Sequence, residues 1–213
     1  MRLKNVKGAA EKVETSGFVI HDAAGHKGNW NKIFGNGNPL HVEIGMGKGR
    51  FITTLAKQNP DVNYLGIERY SSVLVRAIEK REAEEEPVGN LFFLCEDAEN
   101  ITDMFGEGEV GRIYLNFSDP WPKARHAKRR LTSKEYLVKY DRILDRDGRI
   151  VFKTDNRDLF DFSVEEMQEN GWILETVTYD LHKSELAPAN VMTEYEEKFS
   201  ALGNKICCLI AKR

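Results

Sequence analysis

The residues from 43 to 49, EIGMGKG, have the composition of a ligand-binding turn. An apolar run from Leu40 to Ile44 ends at the turn, and a helical pattern follows it. Gly45, Gly47 and Gly49 can take positive φ angles and let a ligand approach the main chain closely. The first N–H groups of the helix add hydrogen-bond donors. These residues therefore predict a turn that holds part of a small molecule.

Two acids follow the next strand-like runs. Glu68 closes the run from Asn63, and Asp97 comes shortly after the run from Leu91 to Leu94. A carboxylate at the first position can accept hydrogen bonds from both hydroxyls of a ribose. Either acid alone is equally well explained as a solvated loop residue, but their recurrence at the ends of successive strands favours a nucleoside-binding edge.

A second loop, SDPWPK at residues 118–123, follows the strand-like run from Arg112 to Phe117. Pro120 and Pro122 restrict the main chain on both sides of Trp121. Ligands bind at the carboxyl ends of central strands in open α/β sheets. An acid, an aromatic ring and a lysine on a stiff loop there suit a flat base. A proline-rich turn around a packed tryptophan is the structural alternative.

The segment from Lys123 to Arg130 contains five Lys or Arg residues, one His and no acid. Basic runs are often only solvated surface. Beside a loop that suits a base, however, such a run can contact phosphates, the main source of affinity for nucleic acids. The net charge of −3 does not exclude this partner, because binding of a polyanion depends on where the positive charge lies.

The whole chain from residue 40 alternates strand-like and helical patterns, which predicts a parallel sheet covered by helices on both faces. The predicted strands are Leu40–Ile44, Asn63–Glu68, Leu91–Leu94, Arg112–Phe117, Arg149–Lys153, Ile173–Tyr179 and Lys205–Ala211. The predicted helices are Arg50–Gln58, Ser72–Glu85, Ala98–Met104, Lys134–Leu144 and Arg157–Glu169, with a short one at Tyr195–Leu202.

Residues 181–203 are too irregular for a core helix, so we expect the last strand to run antiparallel. We expect one α/β domain over residues 1–213, with a seven-stranded, mostly parallel sheet. Residues 1–35 are predicted to form a partly flexible arm near the active face.

The bulk properties are those of a soluble, cytoplasmic protein. The chain has 213 residues, of which 41% are hydrophobic and 31% charged. It lacks both the roughly 18 consecutive apolar residues of a membrane span and the apolar stretch of a signal peptide. Cys207 and Cys208 lie in an apolar run that indicates a buried strand, and Cys95 ends another. Since CxxC spacing is absent and the five histidines are scattered, neither a disulfide framework nor a metal site is predicted.

The first loop, E-x-G-x-G-x-G from Glu43 to Gly49, resembles the first motif of Rossmann-like methyltransferases. In a dinucleotide dehydrogenase the glycines would follow G-x-G-x-x-G, whereas here the third comes one residue early. In the methyltransferases that it resembles, the loop curls around the amino-acid end of S-adenosylmethionine.

Over nearly its whole length the chain resembles bacterial tRNA (guanine-N7)-methyltransferases. Four segments carry the resemblance: residues 43–49, SDPWPK at 118–123 with its basic tail, FKTDN at 152–156 and MTEYEEKF at 192–199. The last two motifs are not general to methyltransferases, which makes the match specific. That family uses a Rossmann-like domain and methylates a guanine in the variable loop of tRNA.

By matching motif, the resemblance implies three groups of site residues. S-adenosylmethionine would be bound by Glu43, Gly45, Gly47, Gly49, Glu68, Asp97 and Asp119. The substrate would be bound by Lys123, Asp155, Thr193, Glu194, Tyr195 and Glu196. The RNA would be contacted by Arg125, His126, Ala127, Lys128, Arg129 and Arg130. Two departures are Ser118, where the family often has Pro, and Ala124, where it often has a basic residue.

The chemistry of guanine N7 points to Asp119 as the catalytic residue. N7 has a lone pair and no proton at neutral pH, so a general base is not needed. Positive charge develops on the guanine, and a fixed carboxylate favours that transition state. Asp119, together with Asp155, could also accept from N1–H and the exocyclic amino group. We expect the turn from Thr193 to Glu196 to close over the base, with Trp121 and Tyr195 either stacking on it or packing in the core.

Two rival functions remain at this point. A small-molecule methyltransferase would share the glycine loop and its acids but would have no use for the basic run after Lys123. A non-catalytic RNA-binding protein of the same fold would tolerate loss of the acids, yet all are present. The sequence leaves open which tRNAs are preferred, whether the chain is a monomer or a homodimer, and whether the arm orders only on RNA. It also leaves open the effects of Ser118 and Ala124.

Overall fold

The computed structural model describes residues 6–86 and 88–213. Seven strands and eight α-helices lie within these residues. The strands are β1 (Leu40–Ile44), β2 (Asn63–Ile67), β3 (Leu91–Leu94), β4 (Val110–Asn116), β5 (Leu144–Thr154), β6 (Ile173–Thr178) and β7 (Cys207–Lys212). The helices are α1 (Ala9–Thr15), α2 (Trp30–Phe34), α3 (Arg50–Gln58), α4 (Ser71–Glu82), α5 (Ile101–Met104), α6 (Lys134–Ile143), α7 (Arg157–Glu169) and α8 (Glu194–Ala201).

The seven strands follow the order β3-β2-β1-β4-β5-β7-β6 in the sheet. β1 pairs in parallel with β2, β2 with β3, and β4 with β5. β7 is antiparallel to both of its neighbours, β5 and β6. The prediction of a mostly parallel sheet with an antiparallel last strand is therefore confirmed.

The chain divides into two compact units, of which the first ends at Gly106. In the first unit every residue of β2 is buried, and α1 packs against α4. Val19 forms a parallel bridge with Phe93, and the buried Trp30 indole donates to the Met104 carbonyl at 2.9 Å. The described part of the predicted arm, from residue 6, thus contributes to the core of this unit. Residues 1–5 of that arm lie outside the described residues.

The second unit begins at Glu107 and contains β4 to β7. Its core includes the stacked rings of Phe152 and Phe160, whose centroids are 6.2 Å apart. Cys207 and Cys208 are buried on β7, as predicted, and both are free thiols. Leu181, in the segment that joins β6 to α8, is buried in a small cluster with Ile206 and Cys208.

The main departure from the predicted elements is the early start of β5, at Leu144 instead of Arg149. The sequence from Asp145 to Gly148 has the composition of a turn, but it continues the strand past an irregularity in the pairing with β4 between Val110 and Arg112. Gly148 permits this path, because a Cβ atom there would lie 2.9 Å from the Asp145 carbonyl oxygen.

None of the helices in residues 6–86 and 88–213 is long and apolar enough to cross a membrane.

Candidate active site

Two of the three glycines in the loop of the first unit border open space. Gly45, Gly47 and Gly49 have φ angles of 76°, 58° and 76°, which favour glycine. The N–H of Gly45 donates to the Ile67 carbonyl at 2.9 Å and fixes the loop on β2. A Cβ atom on Gly49 would lie 3.0 Å from the Ala77 side chain, whereas one on Gly45 or Gly47 would meet nothing within 4 Å. Gly49 therefore serves packing, and the other two form an open cradle.

Glu68, just beyond β2, borders this cradle. Its carboxylate accepts hydrogen bonds from the N–H of Gly47 at 3.2 Å and from the N–H of Tyr70 at 3.0 Å. Burial raises the pKa of this carboxyl, against the lowering effect of those N–H groups and of Arg69. Glu68 thus anchors the loop and leaves an acidic acceptor beside it.

Asp97 is held in place by two contacts. It accepts from the N–H of Glu99 at 3.0 Å, which caps a short 3-10 helix, and it lies 3.2 Å from the guanidinium of Arg69. The same guanidinium lies 4.9 Å from the centre of the Tyr70 ring. Arg69 is a residue that sequence reasoning missed, since an isolated arginine after a strand gives no signal.

These features of the first unit fit S-adenosylmethionine. Because glycine has no side chain, the space at Gly45 and Gly47 stays open and can admit the amino-acid end of a ligand. Any larger residue at these positions would fill that space. The Glu68 carboxylate has the acceptor chemistry that ribose hydroxyls require. Glu43 is buried on β1 with 1% of its surface exposed.

The loop that follows β4 in the second unit is strained. Phe117 and Trp121 have φ angles of 53° and 41°, in a region that residues other than glycine seldom occupy. The Phe117 N–H donates to the Lys153 carbonyl at 2.8 Å. Arg130 donates to the carbonyls of Pro120 and Trp121 at 3.1 and 3.2 Å. These bonds brace the loop on both sides of the exposed Asp119.

The predicted RNA-contacting segment divides into two groups. Arg129 and His126 both lie against the Trp121 ring, at 4.9 Å from the guanidinium and 5.7 Å between ring centres. Arg130 also covers the Phe162 ring at 4.2 Å. The side chains of Lys123, Arg125 and Lys128 are exposed and offer positive charge on the same segment, most of which forms a 3-10 helix from Ala124 to Arg129.

Asp155 meets the start of α8. Its carboxylate accepts from the Tyr195 hydroxyl at 3.3 Å and from the side-chain amide of Asn204 at 2.9 Å. The Tyr195 ring is 42% exposed and stacks on Phe199 at 4.1 Å, with Phe117 at 4.8 Å. The structure thus joins the FKTDN and MTEYEEKF motifs, and it adds Asn204, which no motif indicated.

Two residues of the MTEYEEKF motif are bonded inside the protein. The Thr193 hydroxyl accepts from the N–H of Glu196 at 2.9 Å and caps α8. The Glu196 side chain is fully buried and lies 2.7 Å from the ammonium of Lys153. Burial opposes its ionisation, but Lys153 and two further hydrogen bonds hold the pKa of Glu196 below its usual range.

The sequence of the whole chain identifies its family. A family model described as "Putative methyltransferase" matches residues 37–209. The tRNA (guanine-N(7)-)-methyltransferase of Lachnoclostridium phytofermentans is 61% identical over 213 residues, which cover 100% of this chain and 99% of that one. This chain belongs to the tRNA (guanine-N(7)-)-methyltransferase family. A second member, from Bacillus subtilis, is 53% identical over 193 residues, 91% of this chain and 89% of its own length.

Solved structures of more distant methyltransferases share the fold. A 16S rRNA (adenine(1408)-N(1))-methyltransferase from Catenulisporales acidiphilia superposes with a TM-score of 0.57 at 12% identity, over 87% of this chain and 90% of that one. A precorrin-6y C5,15-methyltransferase from Geobacter metallireducens gives a TM-score of 0.57 at 16% identity, over 83% and 82%. Both support a methyltransferase fold and leave the substrate to be argued from the site.

Proposed function

We propose that this protein transfers a methyl group from S-adenosylmethionine to N7 of a guanine in the variable loop of tRNA, forming 7-methylguanosine. The identity of 61% over the full chain to a protein named for this reaction supports the substrate class and the atom. The structural observation that carries the proposal is the braced loop of residues 117–123, which exposes Asp119 and leads directly into exposed basic side chains.

In this proposal the first unit binds the cofactor. Gly45 and Gly47 admit its amino-acid end, Glu68 accepts from its ribose, and Asp97 completes these contacts. The buried Glu43 and the packed Gly49 support the loop from within the protein. When bound, S-adenosylmethionine supplies the methyl group: the N7 lone pair forms the new C–N bond while the electron pair of the broken C–S bond stays on sulfur.

The second unit positions the guanine. Methyl transfer is an in-line displacement, so holding N7 in place supplies much of the rate. Asp119 provides a fixed negative charge where positive charge develops on the base, and the braces at Phe117 and Arg130 keep it from moving. Asp155 and Tyr195, with Lys123 and Glu194, contact the base and its nucleotide. Thr193 and Glu196 shape the turn that carries Glu194 and Tyr195.

The basic segment binds the tRNA backbone. Arg125 and Lys128 contact phosphates from its exposed side, together with the main chain at Ala127. His126, Arg129 and Arg130 contribute charge while holding Trp121. The target base leaves its stack to reach Asp119, as enzymes that act on bases require. The cytoplasm is the proposed location of this activity, in keeping with a tRNA substrate.

Methyl transfer from labelled S-adenosylmethionine to unmodified tRNA transcripts, followed by nucleoside analysis, tests the proposal. We expect labelled 7-methylguanosine, and we expect it to disappear when the variable-loop guanine is replaced by adenine. Absence of label in the RNA from protein that binds the cofactor would contradict the proposal and favour a small-molecule substrate.

A further inference from the structure

A polar cluster built around a buried ion pair links the carboxyl end of β5 to the start of α8. Its four members are Lys153, His182, Asn190 and Glu196. The Lys153 ammonium donates to the Glu196 carboxylate at 2.7 Å, to the Asn190 side-chain carbonyl at 3.0 Å and to the Val191 carbonyl at 2.9 Å. Their number matches the three N–H donors of an ammonium group.

The other Glu196 oxygen is bonded as well. It accepts from the Asn190 side-chain amide at 2.6 Å and lies 2.9 Å from Nε2 of His182. Glu196 is 0% exposed and Lys153 is 2% exposed. Because Glu196 is fully buried and both of its carboxylate oxygens are bonded to protein groups, it lacks the exposure that a direct contact with a base needs.

Stability alone does not require such a cluster. Replacing a buried ion pair by apolar side chains of similar size is often neutral or stabilising. We therefore consider which neighbouring residues the pair holds in place. Lys153 lies two residues before Asp155, and its carbonyl receives the N–H of Phe117. Glu196 follows Tyr195, whose hydroxyl donates to Asp155. The cluster therefore fixes both ends of the Tyr195–Asp155 contact.

We infer that Lys153, His182 and Asn190 are positioning residues that act through Glu196 to hold Tyr195 and Asp155 against the guanine. Glu196 is then a part of this support and does not touch the base. The inference rests on the proposed function, since it assigns a role within the binding of the same guanine.

The test compares His182→Leu and Asn190→Leu, which remove donors to Glu196, with His182→Gln, whose amide can replace the imidazole N–H. Arg149→Met is the matched control, because it removes a cation from the same strand and breaks a partly exposed ion pair with Glu175. We measure single-turnover methyl transfer to tRNA, the Kd for S-adenosylmethionine by calorimetry, and thermal unfolding.

We expect the two leucine variants to transfer the methyl group about 10- to 100-fold more slowly, because a misplacement of about 1 Å costs this much. Their cofactor affinity is expected to stay at the wild-type value, since the glycine loop and Glu68 belong to the other unit. His182→Gln should recover most of the rate, and Arg149→Met should leave it unchanged.

Wild-type rates in both leucine variants, or rate losses that follow a matching loss of cofactor affinity and of folded protein, would overturn the inference. If the single variants fail to fold, the double variant Lys153→Met with Glu196→Leu removes both charges together. Slow transfer by this folded protein supports positioning, and full transfer contradicts it. Absence of 7-methylguanosine from the wild-type protein would instead overturn the proposed function.

Discussion

Lys153 and Glu196 form a buried ion pair of 2.7 Å that joins the FKTDN motif at the end of β5 to the MTEYEEKF motif at the start of α8. These two motifs are not general to methyltransferases, so they make the resemblance to this family specific. The pair gives a physical reason for their occurrence in one chain: the first motif supplies the cation that holds the second. Asp155 and Tyr195, one from each motif, meet as a consequence.

The glycine cradle predicts a specific loss of cofactor affinity in Gly47→Ala. A non-glycine residue at positive φ costs about 1–2 kcal/mol wherever it occurs, so thermal unfolding should move to lower temperature. The new methyl group also enters the open space beside Glu68. We therefore expect S-adenosylmethionine to bind at least about tenfold more weakly, a change of about 1.4 kcal/mol, as measured by calorimetry.

Gly35→Ala is the matched control for this variant. Gly35 lies in the same unit, has a φ angle of 68° and likewise has no atom within 4 Å of a Cβ position. It shares the backbone strain without facing the cradle, so its cofactor affinity should equal that of the wild type. Equal affinity losses in both variants would contradict the assignment of the cradle.

Glu68 predicts a pH dependence of cofactor binding. Burial raises its pKa above the ordinary value of 4.5, and the ribose contact needs the carboxylate. Affinity for S-adenosylmethionine should therefore fall as pH drops through the raised pKa. Calorimetry at a series of pH values measures this, and Glu68→Gln should bind more weakly with a flatter profile.

The free energy of unfolding should depend on pH in the opposite direction from the cofactor affinity. Between pH 4.5 and the raised pKa, the folded state binds more protons than the unfolded state, so the free energy of unfolding should fall as pH rises through this range. Denaturant unfolding of the ligand-free protein should show that contribution, and Glu68→Gln should lack it. A pH profile that the substitution leaves unaltered would argue against Glu68 as its source.

Asp119→Asn predicts a loss of chemistry with cofactor binding largely retained. The substitution keeps the size of the side chain and removes the negative charge that favours the transition state. Removal of one such electrostatic contact typically lowers the rate about 100- to 1000-fold. Single-turnover transfer to tRNA measures the loss, and calorimetry with S-adenosylmethionine is the control. An unchanged turnover number would exclude Asp119 as the catalytic residue.

The exposed side of the basic segment predicts a change in the salt dependence of tRNA binding. Each lost phosphate contact should lower the slope of log K against log salt by about 1. The pair Arg125→Gln with Lys128→Gln should thus weaken binding and flatten this slope by about 2. Filter binding at several salt concentrations measures both quantities.

A matched control exists where α6 ends and β5 begins. Arg142 and Arg146 are equally exposed arginines in the same unit, and their replacement by Gln removes the same charge. The tRNA affinity of this double variant should stay near the wild-type value. If both pairs flatten the slope alike, binding depends on net charge and the basic segment has no special role.

The parts predicted from sequence are those that local chemistry determines. Alternate glycines after a strand specify a turn with positive φ, and the structure has one at Gly45, Gly47 and Gly49. Two prolines around Trp121 predict a stiff loop, whose braces at Arg130 could not be foreseen. In sequence, Arg130 belongs to a basic run and resembles a phosphate ligand. Its actual partners, two carbonyls and the Phe162 ring, come together only in the fold, so the sequence does not reveal them.

The support of the turn from Thr193 to Glu196, which we propose binds the base, was beyond sequence reasoning for a related reason. Lys153 stands in a predicted motif, but its partner at position 196 is more than 40 residues away, and His182 and Asn190 lie in a segment without regular periodicity. These side chains reach the end of β5 only in the fold, where Leu181 and Leu186 of that segment pack with Ile206 and Cys208. The start of β5 was mispredicted because a strand that passes through Asp-Gly has the composition of a turn.

The most direct measurement of the central claim uses a tRNA transcript whose variable-loop guanine is replaced by 7-deazaguanine. This base keeps the N1–H and amino groups that the proposed site reads but has carbon in place of the nucleophilic N7. We expect the transcript to bind with unchanged affinity and to accept no methyl group from labelled S-adenosylmethionine. Methyl transfer to it at the rate of the unmodified transcript would contradict N7 of that guanine as the acceptor.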